Sequence, residues 1–215
     1  MHAHVAVWLS CVAMLFAATV AAEQDGNEQR GPVILVAARH LLDPNFARTV
    51  VLVMFPRENG PTGVILNRPT DLQLREIFPG REQRQGRTDT IYIGGPVQPD
   101  GLLFLFRNEV APENAWPIID NIYFSGNGEL LDALLEHQSG PDASQRFFAG
   151  YAGWTPGQLD SEIANGDWYV MKADPEIIFD VDVETLWWRL YQRATLPRAH
   201  FTPRRVPRAV SVTSG

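Results

Sequence analysis

The sequence predicts one globular domain that combines strands and helices. Short runs rich in β-branched residues, separated by Pro, Gly and Asn, fill its first half and are typical of strands. Two later segments repeat apolar residues at the helical spacing. With 215 residues and 45% hydrophobic content, the chain is long enough to bury a core of its own. Two small domains are the alternative.

Three strands are predicted where the ordered body begins, over Val33 to Ala38, Thr49 to Phe55 and Thr62 to Leu66. Short connections with Pro, Asn and Gly join them, which favours an antiparallel meander. Their near-continuous apolar runs also fit strands that are covered on both faces. Next, residues 72–78 predict a short helix, and residues 79–89, dense in Arg, Gln and Gly, predict an exposed loop.

A strong turn signal follows at Gln98-Pro99-Asp100-Gly101, where Pro sets φ and Gly accepts a positive φ. It predicts a hairpin between a strand over Thr90 to Ile93 and a strand over Leu102 to Arg107. One further strand is expected over Ile118 to Phe124.

Two longer helices are predicted in the second half. The first runs from Glu129 to Gln138 and is stopped by Gly140-Pro141. The second is capped by Asp182, and its apolar residues share one helical face: Val183, Leu186, Trp187, Leu190, Tyr191 and Ala194. Strands are expected between them, over Arg146 to Ala152 and over Asp167 to Lys172.

The segment that links the first of these strands to a following helix has several start signals. Thr155 is placed as N-cap, Pro156 as the first helical residue, Gln158 as the third and Leu159 as the fourth. This arrangement predicts a capping box between Thr155 and Gln158, and a hydrophobic staple between Trp154 and Leu159. The capping signals therefore explain Trp154 and Gln158 without any functional role.

Two residues of the same helix lack such an explanation. Gly157 at the second helical position costs about 1 kcal/mol relative to Ala, which suggests a close backbone approach. Glu162 lies one turn after Gln158 with no obvious partner. Because a helix N-terminus with a glycine is also a ready anion site, this segment favours binding over catalysis.

Two other motifs are candidates for ligand contact. Gly94-Gly95, before Pro96, could bring backbone N–H groups to an anion, or could form a tight turn whose φ angles need glycine. Arg68, after Asn67, could bind a carboxylate or phosphate, or could lie in an ordinary surface turn. The sequence predicts no cofactor, since neither a phosphate-binding Walker loop nor a dinucleotide fingerprint is present.

Catalytic and metal sites have weaker signals. No serine lies in a nucleophile elbow, and only His40, which could act with Asp43 or Glu162, is a candidate for a cryptic hydrolase or transferase. The acids Asp180, Asp182 and Glu184 could hold a hard cation, but they also suit a helix N-terminus. No metal site is predicted.

Charge is unevenly distributed along the chain. The last 21 residues, from Thr195 onward, contain four arginines and no acid, so a total charge of -7 leaves -11 for the rest. An acidic body is a poor match for duplex nucleic acid. Because residues 195–215 are rich in Pro, Arg, Thr and Ser and have no periodicity, they are predicted to be a basic, disordered tail.

The N-terminus predicts export. Residues 1–22 combine an apolar run with small residues before Glu23, as in a secretory signal peptide, and residues 23–31 are interpreted as a flexible lead-in. An uncleaved anchor is one alternative. A mis-assigned start codon, which would leave the protein cytoplasmic, is the other.

Cys11 is the only cysteine, so the exported chain would have no disulfide, cysteine nucleophile or zinc thiolate site. No later stretch is long enough to span a membrane.

Four motifs, read together, indicate a family. They are Leu42-Asp43-Pro44-x-Phe46-x-Arg48-Thr49-Val50, Gly63-Val64-Ile65-Leu66-Asn67-Arg68-Pro69, Gly94-Gly95-Pro96-Val97 and Gly150-Tyr151-Ala152-Gly153-Trp154-x-x-Gly157-Gln158-Leu159-x-x-Glu162-Ile163. In this order they closely resemble the YqgE/AlgH family of bacterial proteins, over a domain that we place at residues 32–194.

The resemblance implies an α+β fold with a mainly antiparallel, partly barrel-like sheet flanked by helices. It implies no agreed enzymatic activity, although some members are labelled transcriptional regulators; no helix-turn-helix or basic stripe supports that label here. Family members are typically cytoplasmic, so the predicted signal peptide and the basic tail depart from the pattern.

We expect a non-catalytic binding or regulatory protein whose ligand is a small anion or a protein partner. The candidate binding residues are Asn67, Arg68, Gly94, Gly95, Gly153, Trp154, Gly157, Gln158 and Glu162.

Overall fold

The computed structural model describes residues 30–56, 60–77, 87–136 and 144–196. Several predicted segments lie outside the described residues. They are the signal peptide, most of the lead-in, residue 78 of the helix predicted over 72–78, residues 79–86 of the predicted loop, the end of the helix predicted over 129–138, and residues 197–215 of the predicted tail.

A single ten-stranded sheet organises the described residues. The strands are β1 Val33–Ala37, β2 Val50–Met54, β3 Thr62–Ile65, β4 Pro69–Gln73, β5 Thr90–Ile93, β6 Val97–Arg107, β7 Trp116–Ile119, β8 Ile122–Ser125, β9 Gln145–Gly153 and β10 Trp168–Lys172. Their order is β10-β1-β2-β3-β9-β6-β8-β7, with β5 paired to β9 and β4 paired to β5. Among the strand pairs of the described residues, only β5–β9 is parallel, and the sheet curls into a half-barrel. The predicted α+β class is confirmed.

Strand β9 is the branching point of the sheet. It pairs with β6 along one edge. Along the other edge it pairs first with β5, at residues 147–149, and then with β3, at residues 152 and 153. The part of the sheet formed by β10, β1, β2 and β3 therefore meets the part formed by β4 to β8 at the C-terminal half of β9. This point lies directly before the segment that leads into the next helix.

Five helices flank this sheet in the described residues: α1 Leu74–Ile77, α2 Gly128–Leu135, α3 Gln158–Ala164, α4 Pro175–Ile178 and α5 Val183–Thr195. Asp182 caps α5 as predicted, since its side chain accepts from the Thr185 N–H. Helix α4, capped by Asp174, is an element that the sequence did not predict. Within the described ranges, no helix has both the length and the hydropathy that crossing a membrane requires.

Both faces of the β1–β2–β3 meander are buried, as the apolar runs allowed. Ile34 and Leu52 belong to a cluster that α4 and α5 cover. Their neighbours Leu35 and Val51 belong to a cluster on the opposite face, against α3. Because successive side chains of a strand point to opposite faces, both layers need apolar residues, and an uninterrupted run results.

The hairpin predicted at Gln98-Pro99-Asp100-Gly101 is wrong. Strand β6 continues through these residues, because Val97 pairs with Tyr151 and Leu102 pairs with Ala149. Residues 98–101 thus lie opposite Gly150 alone and form a wide bulge. Since the long edge of β9 offers partners on both sides of the turn residues, pairing with β9 replaces pairing between β5 and β6.

Two shorter predictions also need correction. The strand expected over residues 118–124 is a hairpin of β7 and β8, turned at Asp120, whose φ is 50°. The helix expected over residues 72–78 is confined to α1, because residues 69–73 extend into β4 and pair with β5.

The end of the loop predicted to be exposed is instead buried. The Arg87 side chain is 0% exposed, and its Nε lies 2.6 Å from Asp89 Oδ2. The same guanidinium donates to Gln145 Oε1 at the start of β9 over 2.8 Å. A paired and hydrogen-bonded arginine can be buried, and here it ties the chain before β5 to β9.

Candidate functional site

Helix α3 begins two residues later than the capping signals predict. Its N-cap is Gly157, with φ 77°, and its first residue is Gln158. Thr155 is therefore not the N-cap: its carbonyl accepts from the Gln158 N–H over 3.0 Å in a single turn. One half of the predicted capping box survives, because the Gln158 side chain accepts from the Thr155 N–H over 3.1 Å.

The conformation of Gly157 explains why this position is a glycine. A φ of 77° lies in the left-handed region, which glycine enters without steric cost. A Cβ built at Gly157 would meet nothing within 4 Å. The close approach that the sequence suggested at Gly157 is thus absent among the described residues, and the glycine serves the backbone turn into α3.

Glu162 has three hydrogen-bond partners, contrary to the interpretation from sequence. Its Oε2 accepts from the indole N–H groups of Trp154 and Trp168, each over 2.9 Å. Its Oε1 accepts from Gln158 Nε2 over 3.0 Å. The carboxylate holds together the turn before α3, the helix itself and the start of β10.

The two indoles form an aromatic cluster beside Glu162. The Trp154 and Trp168 rings meet edge to face at 6.4 Å, and Phe46 stacks on Trp154 at 6.0 Å. Both tryptophans are almost fully buried, at 5% and 4% exposure. Leu159, the predicted staple partner of Trp154, lies in the same buried cluster. We call Phe46, Trp154, Glu162 and Trp168 the indole–carboxylate cluster.

Gly94 and Gly95 lie where β5 leaves β9. A Cβ on Gly94 would stand 2.1 Å from the Gly150 carbonyl oxygen, and a Cβ on Gly95 would stand 2.2 Å from the carbonyl carbon of Tyr151. The Gly94 N–H donates to Ala149 O over 2.8 Å. These glycines thus permit two backbones to touch, and the Gly94 N–H is used inside the sheet rather than presented to an anion.

Asn67 and Arg68 bind the backbone of the turn that precedes β2. Asn67 accepts from the Val50 N–H over 2.8 Å and donates to Arg48 O over 3.0 Å. Arg68 Nη2 donates to Pro44 O over 3.0 Å. Burial lowers the pKa of Arg68, and the charge of Asp43 acts in the opposite direction. Both side chains have intramolecular partners.

An open groove of about 560 Å³ lies at the end of the half-barrel where β9 leads into α3. Its lining is predominantly apolar and aromatic, with a few hydroxyl, amide and backbone groups. The lining residues are Pro56, Gly60, Pro61, Thr62, Val97, Leu103, Trp116, Phe124, Tyr151, Gly153, Trp154, Thr155 and Gln158. We call this the aromatic groove.

Trp116 forms an exposed aromatic wall of the aromatic groove. Its ring is stacked on Phe124 at 6.3 Å with an interplanar angle of 27°, yet the residue remains 54% exposed. Tyr151 and Trp154 also line the groove. Trp154 belongs to both features, so the indole–carboxylate cluster supports one wall of the groove.

Of the nine candidate residues, the structure brings Gly153, Trp154 and Gln158 to the aromatic groove. Glu162 stands directly behind them, since it holds both Trp154 and Gln158. The remaining candidates, Asn67, Arg68, Gly94, Gly95 and Gly157, are not among the residues that line it.

Sequence reasoning missed Trp116 and Tyr151. Trp116 lay in a segment with no predicted element, and its exposure depends on β7 being the terminal strand of the sheet. A tryptophan followed by Pro117 was a usable signal, because proline within a strand is confined to edges. Tyr151 was assigned to a strand and to a family motif, but not to a binding site.

His40 does not form the pairs that a catalytic role required. Its Nε2 lies 3.4 Å from Asp167 Oδ1, at a largely exposed position. Glu162 is engaged by the two indoles and Gln158, and Asp43 Oδ1 accepts from the Asn45 N–H. Within the described residues, His40 is thus paired with neither Asp43 nor Glu162.

The acids before α5 form hydrogen bonds and ion pairs within the chain. Asp180 Oδ2 lies 2.6 Å from Arg189 Nη2. Asp182 binds Thr185, and this hydrogen bond lowers the pKa of the Asp182 carboxyl, while desolvation acts in the opposite direction. These contacts hold the first turns of α5.

Curated relatives match most of the described domain. The chain is 35% identical over 156 residues to a UPF0301 protein of Chlorobium luteolum, an alignment that covers 73% of this chain and 81% of the relative. It is also 35% identical over 189 residues to a UPF0301 protein of Anaeromyxobacter dehalogenans, covering 83% and 94%.

Solved structures share the fold. The AlgH protein from Pseudomonas aeruginosa, determined in solution, has a TM-score of 0.61 and 30% identity, covering 75% of this chain and 86% of that one. A crystal structure of a protein from Corynebacterium diphtheriae has a TM-score of 0.62 and 26% identity, covering 80% and 90%. The family model described as AlgH-like matches residues 34–198. The chain therefore belongs to the AlgH-like family, as its four motifs indicate.

Proposed function

We propose that this protein is a non-catalytic binding protein and that the aromatic groove is its binding site. The observation that carries the proposal is the exposed Trp116 ring, which forms the wall of a groove of about 560 Å³. Binding sites for ligands are typically of this size and combine an apolar, aromatic lining with a few polar groups. Tryptophan is also enriched among residues that dominate binding energy.

The lining supports binding rather than catalysis. Among the described residues that line the groove, none carries a carboxylate, an imidazole, an ammonium or a guanidinium. Within the described lining, the Thr62, Thr155 and Tyr151 hydroxyls therefore have no adjacent general base, which nucleophilic catalysis by a hydroxyl needs.

The same lining favours an apolar segment of a partner over a small anion. An anion in the groove would exchange its water shell for aromatic and proline side chains, with no cation among the described lining residues. An extended segment can instead bury apolar side chains against Trp116 and Tyr151 while its backbone meets the Thr62, Thr155 and Gln158 side chains.

An array of synthetic peptides, varied in proline, aromatic and aliphatic content, tests this proposal. Each spot is incubated with the wild-type chain, with Trp116→Ala and with Trp188→Ala. Trp188 is the matched control, since it is also a partly exposed tryptophan (44%) but lies on α5. We expect that some peptides bind the wild type and Trp188→Ala equally well. The same peptides should bind Trp116→Ala at least about tenfold more weakly. If no peptide separates Trp116→Ala from the other two proteins, the groove is not the binding site.

We further propose that the protein acts outside the cytoplasm. The apolar run and the small residues before Glu23 support this. N-terminal sequencing of the protein purified from its own cells is the test: Glu23 as first residue is the expected result, and an intact Met1 overturns it.

A further inference from the structure

We propose that the aromatic groove is occupied by the chain's own C-terminal segment, residues 197–215. This inference rests on the proposed function, because it names the occupant of the same groove. Three independent observations support it: the chemistry of the segment, the charge of the body and the position of the α5 C-terminus.

The segment has the composition that an aromatic groove binds. It contains Pro197, Phe201, Pro203 and Pro207 within eleven residues. Proline-containing segments dock into aromatic-lined grooves, because their rings pack on aromatic faces and their restricted backbone loses little entropy on binding. Trp116, Tyr151 and Trp154 provide such faces.

Charge favours this segment over other apolar segments. It carries four arginines and no acid, while the total charge of the chain is -7. The acids therefore lie in the body, and two of them are near lining residues in the sequence: Asp100 lies in the β6 bulge, and Glu113 precedes β7. Attraction of a basic segment to an acidic body raises its occupancy, and salt weakens this attraction.

The position of α5 brings the segment within reach of the groove. The α5 helix crosses β1 and β10, since Trp187 Nε1 donates to Ala37 O over 2.9 Å and the Tyr191 ring meets Tyr169 at 5.7 Å. The chain thus leaves the last turn of α5 on the β10 side of the sheet. Strand β9, which leads to the groove, is four strands away in the order β10-β1-β2-β3-β9.

Four strand spacings of about 4.8 Å amount to about 19 Å across the sheet. The groove lies at the end of the strands opposite to Ala37, which adds about 13 Å along them at about 3.3 Å per residue. The diagonal is about 23 Å. At about 3.1 Å per residue, Pro203 can reach about 22 Å from Leu196, and Pro207 can reach about 34 Å. The stretch between these two prolines is therefore the part that can reach the groove.

Photo-crosslinking in the full chain tests the placement. Val206, which lies between Pro203 and Pro207, is replaced by p-benzoylphenylalanine, and the protein is irradiated at low concentration and digested. We expect crosslinks to peptides that contain Trp116, Tyr151 or Trp154, and their loss on adding Trp116→Ala. The same photo-reactive residue in place of Val212, beyond the last arginine, is the control and should give fewer of these crosslinks, by about fivefold or more. Crosslinks that map outside the groove overturn the inference.

Competition tests the same idea without a crosslinker. The probe is a fluorescein-labelled synthetic peptide of residues 197–215, titrated onto the full chain and onto the full-chain variant Arg204→Ser/Arg205→Ser/Arg208→Ser. We expect binding to the variant to be tighter by about tenfold or more, because its own segment competes less at the high effective concentration of a tethered ligand. Equal binding to both proteins overturns the inference.

The two proposals fail in distinguishable ways. If array peptides bind in a Trp116-dependent manner while the segment gives neither crosslinks nor competition, the groove binds another partner and only the self-occupancy is wrong. If the array shows no dependence on Trp116, the proposed function itself is wrong.

Discussion

Two of the tryptophan-containing features in the described part of the chain differ in hydrogen bonding and exposure. In the indole–carboxylate cluster, Trp154 and Trp168 each donate to Glu162 and are almost fully buried. In the aromatic groove, Trp116 is stacked on Phe124 along one face and is 54% exposed. The indole N–H is a donor that normally needs a partner when buried, and the cluster provides that partner within the chain.

This difference separates a structural role from a binding role. The cluster connects α3 to β10 and leaves no indole N–H of its two tryptophans unpaired, so stability is its expected contribution. The Trp116 ring leaves apolar area in water, which a segment bound in the groove can bury. We therefore expect substitutions in the cluster to change the free energy of unfolding, and substitution of Trp116 to change binding.

The largest effect is expected at the glycine crossing that supports the Tyr151 wall of the groove. In Gly95→Ala, the new Cβ would stand 2.2 Å from the carbonyl carbon of Tyr151, so the crossing must open. We expect a loss of about 3 kcal/mol or more in the free energy of unfolding, measured by urea titration. Gly128→Ala is the matched control, since a Cβ there meets nothing within 4 Å. Equal stability of the two variants would contradict the close crossing.

A smaller but still large effect is expected in the cluster. Glu162→Ala removes the acceptor of two nearly buried indole N–H groups, and we expect a loss of about 3 kcal/mol in the free energy of unfolding. Glu162→Gln keeps one oxygen to accept from the indoles and loses only the charge and the bond from Gln158, so about 1 kcal/mol is expected. If both variants unfold like the wild type in a urea titration, the cluster is not a stabilising feature.

A moderate effect is expected at the turn into α3. Gly157→Ala forces a side chain to a φ of 77°, which costs about 1 kcal/mol without any steric clash with another segment. Gly157→Asn should lose about half as much, because asparagine tolerates this conformation better. Both variants should bind array peptides like the wild type. A loss of binding in both, with unchanged stability, would instead assign Gly157 to the site.

The smallest change in stability is expected for Trp116→Ala. Because more than half of the residue is already exposed, its removal should cost about 1 kcal/mol or less. The same variant should lose about tenfold or more in peptide affinity, measured by fluorescence anisotropy, while Trp188→Ala should not. A loss of stability as large as that of Glu162→Ala would remove the distinction between the two tryptophan features.

Much of the fold could be predicted because its signals are local. The bounds of β5 agree residue for residue with the prediction, and those of β1 to β3 agree within one residue. Asp182 caps α5 as its position before an amphipathic run indicates. In each case the residues that determine the element lie within a few positions of one another.

The errors arose where a distant strand or a backbone turn competed with a local signal. The residues Gln98-Pro99-Asp100-Gly101 have every preference for a turn, but β9, much later in the chain, pairs on both sides of them. Thr155, likewise, has the preference of an N-cap, but Gly157 adopts a positive φ and delays the helix by two residues. Local preference is a weak prior against tertiary pairing.

The family, the fold class, most of the strands and the capping of α5 could be read from the amino-acid sequence, because they depend on periodicity and on motifs within short stretches. The partners of Glu162, the reason for glycine at positions 94 and 95, and the aromatic rings that share a groove became known from the folded chain. Each of these depends on how the fold brings together segments that are distant in the sequence, such as Trp116 on β7 and Trp154 before α3, which line one groove. Such contacts follow from how β9 joins the two parts of the sheet.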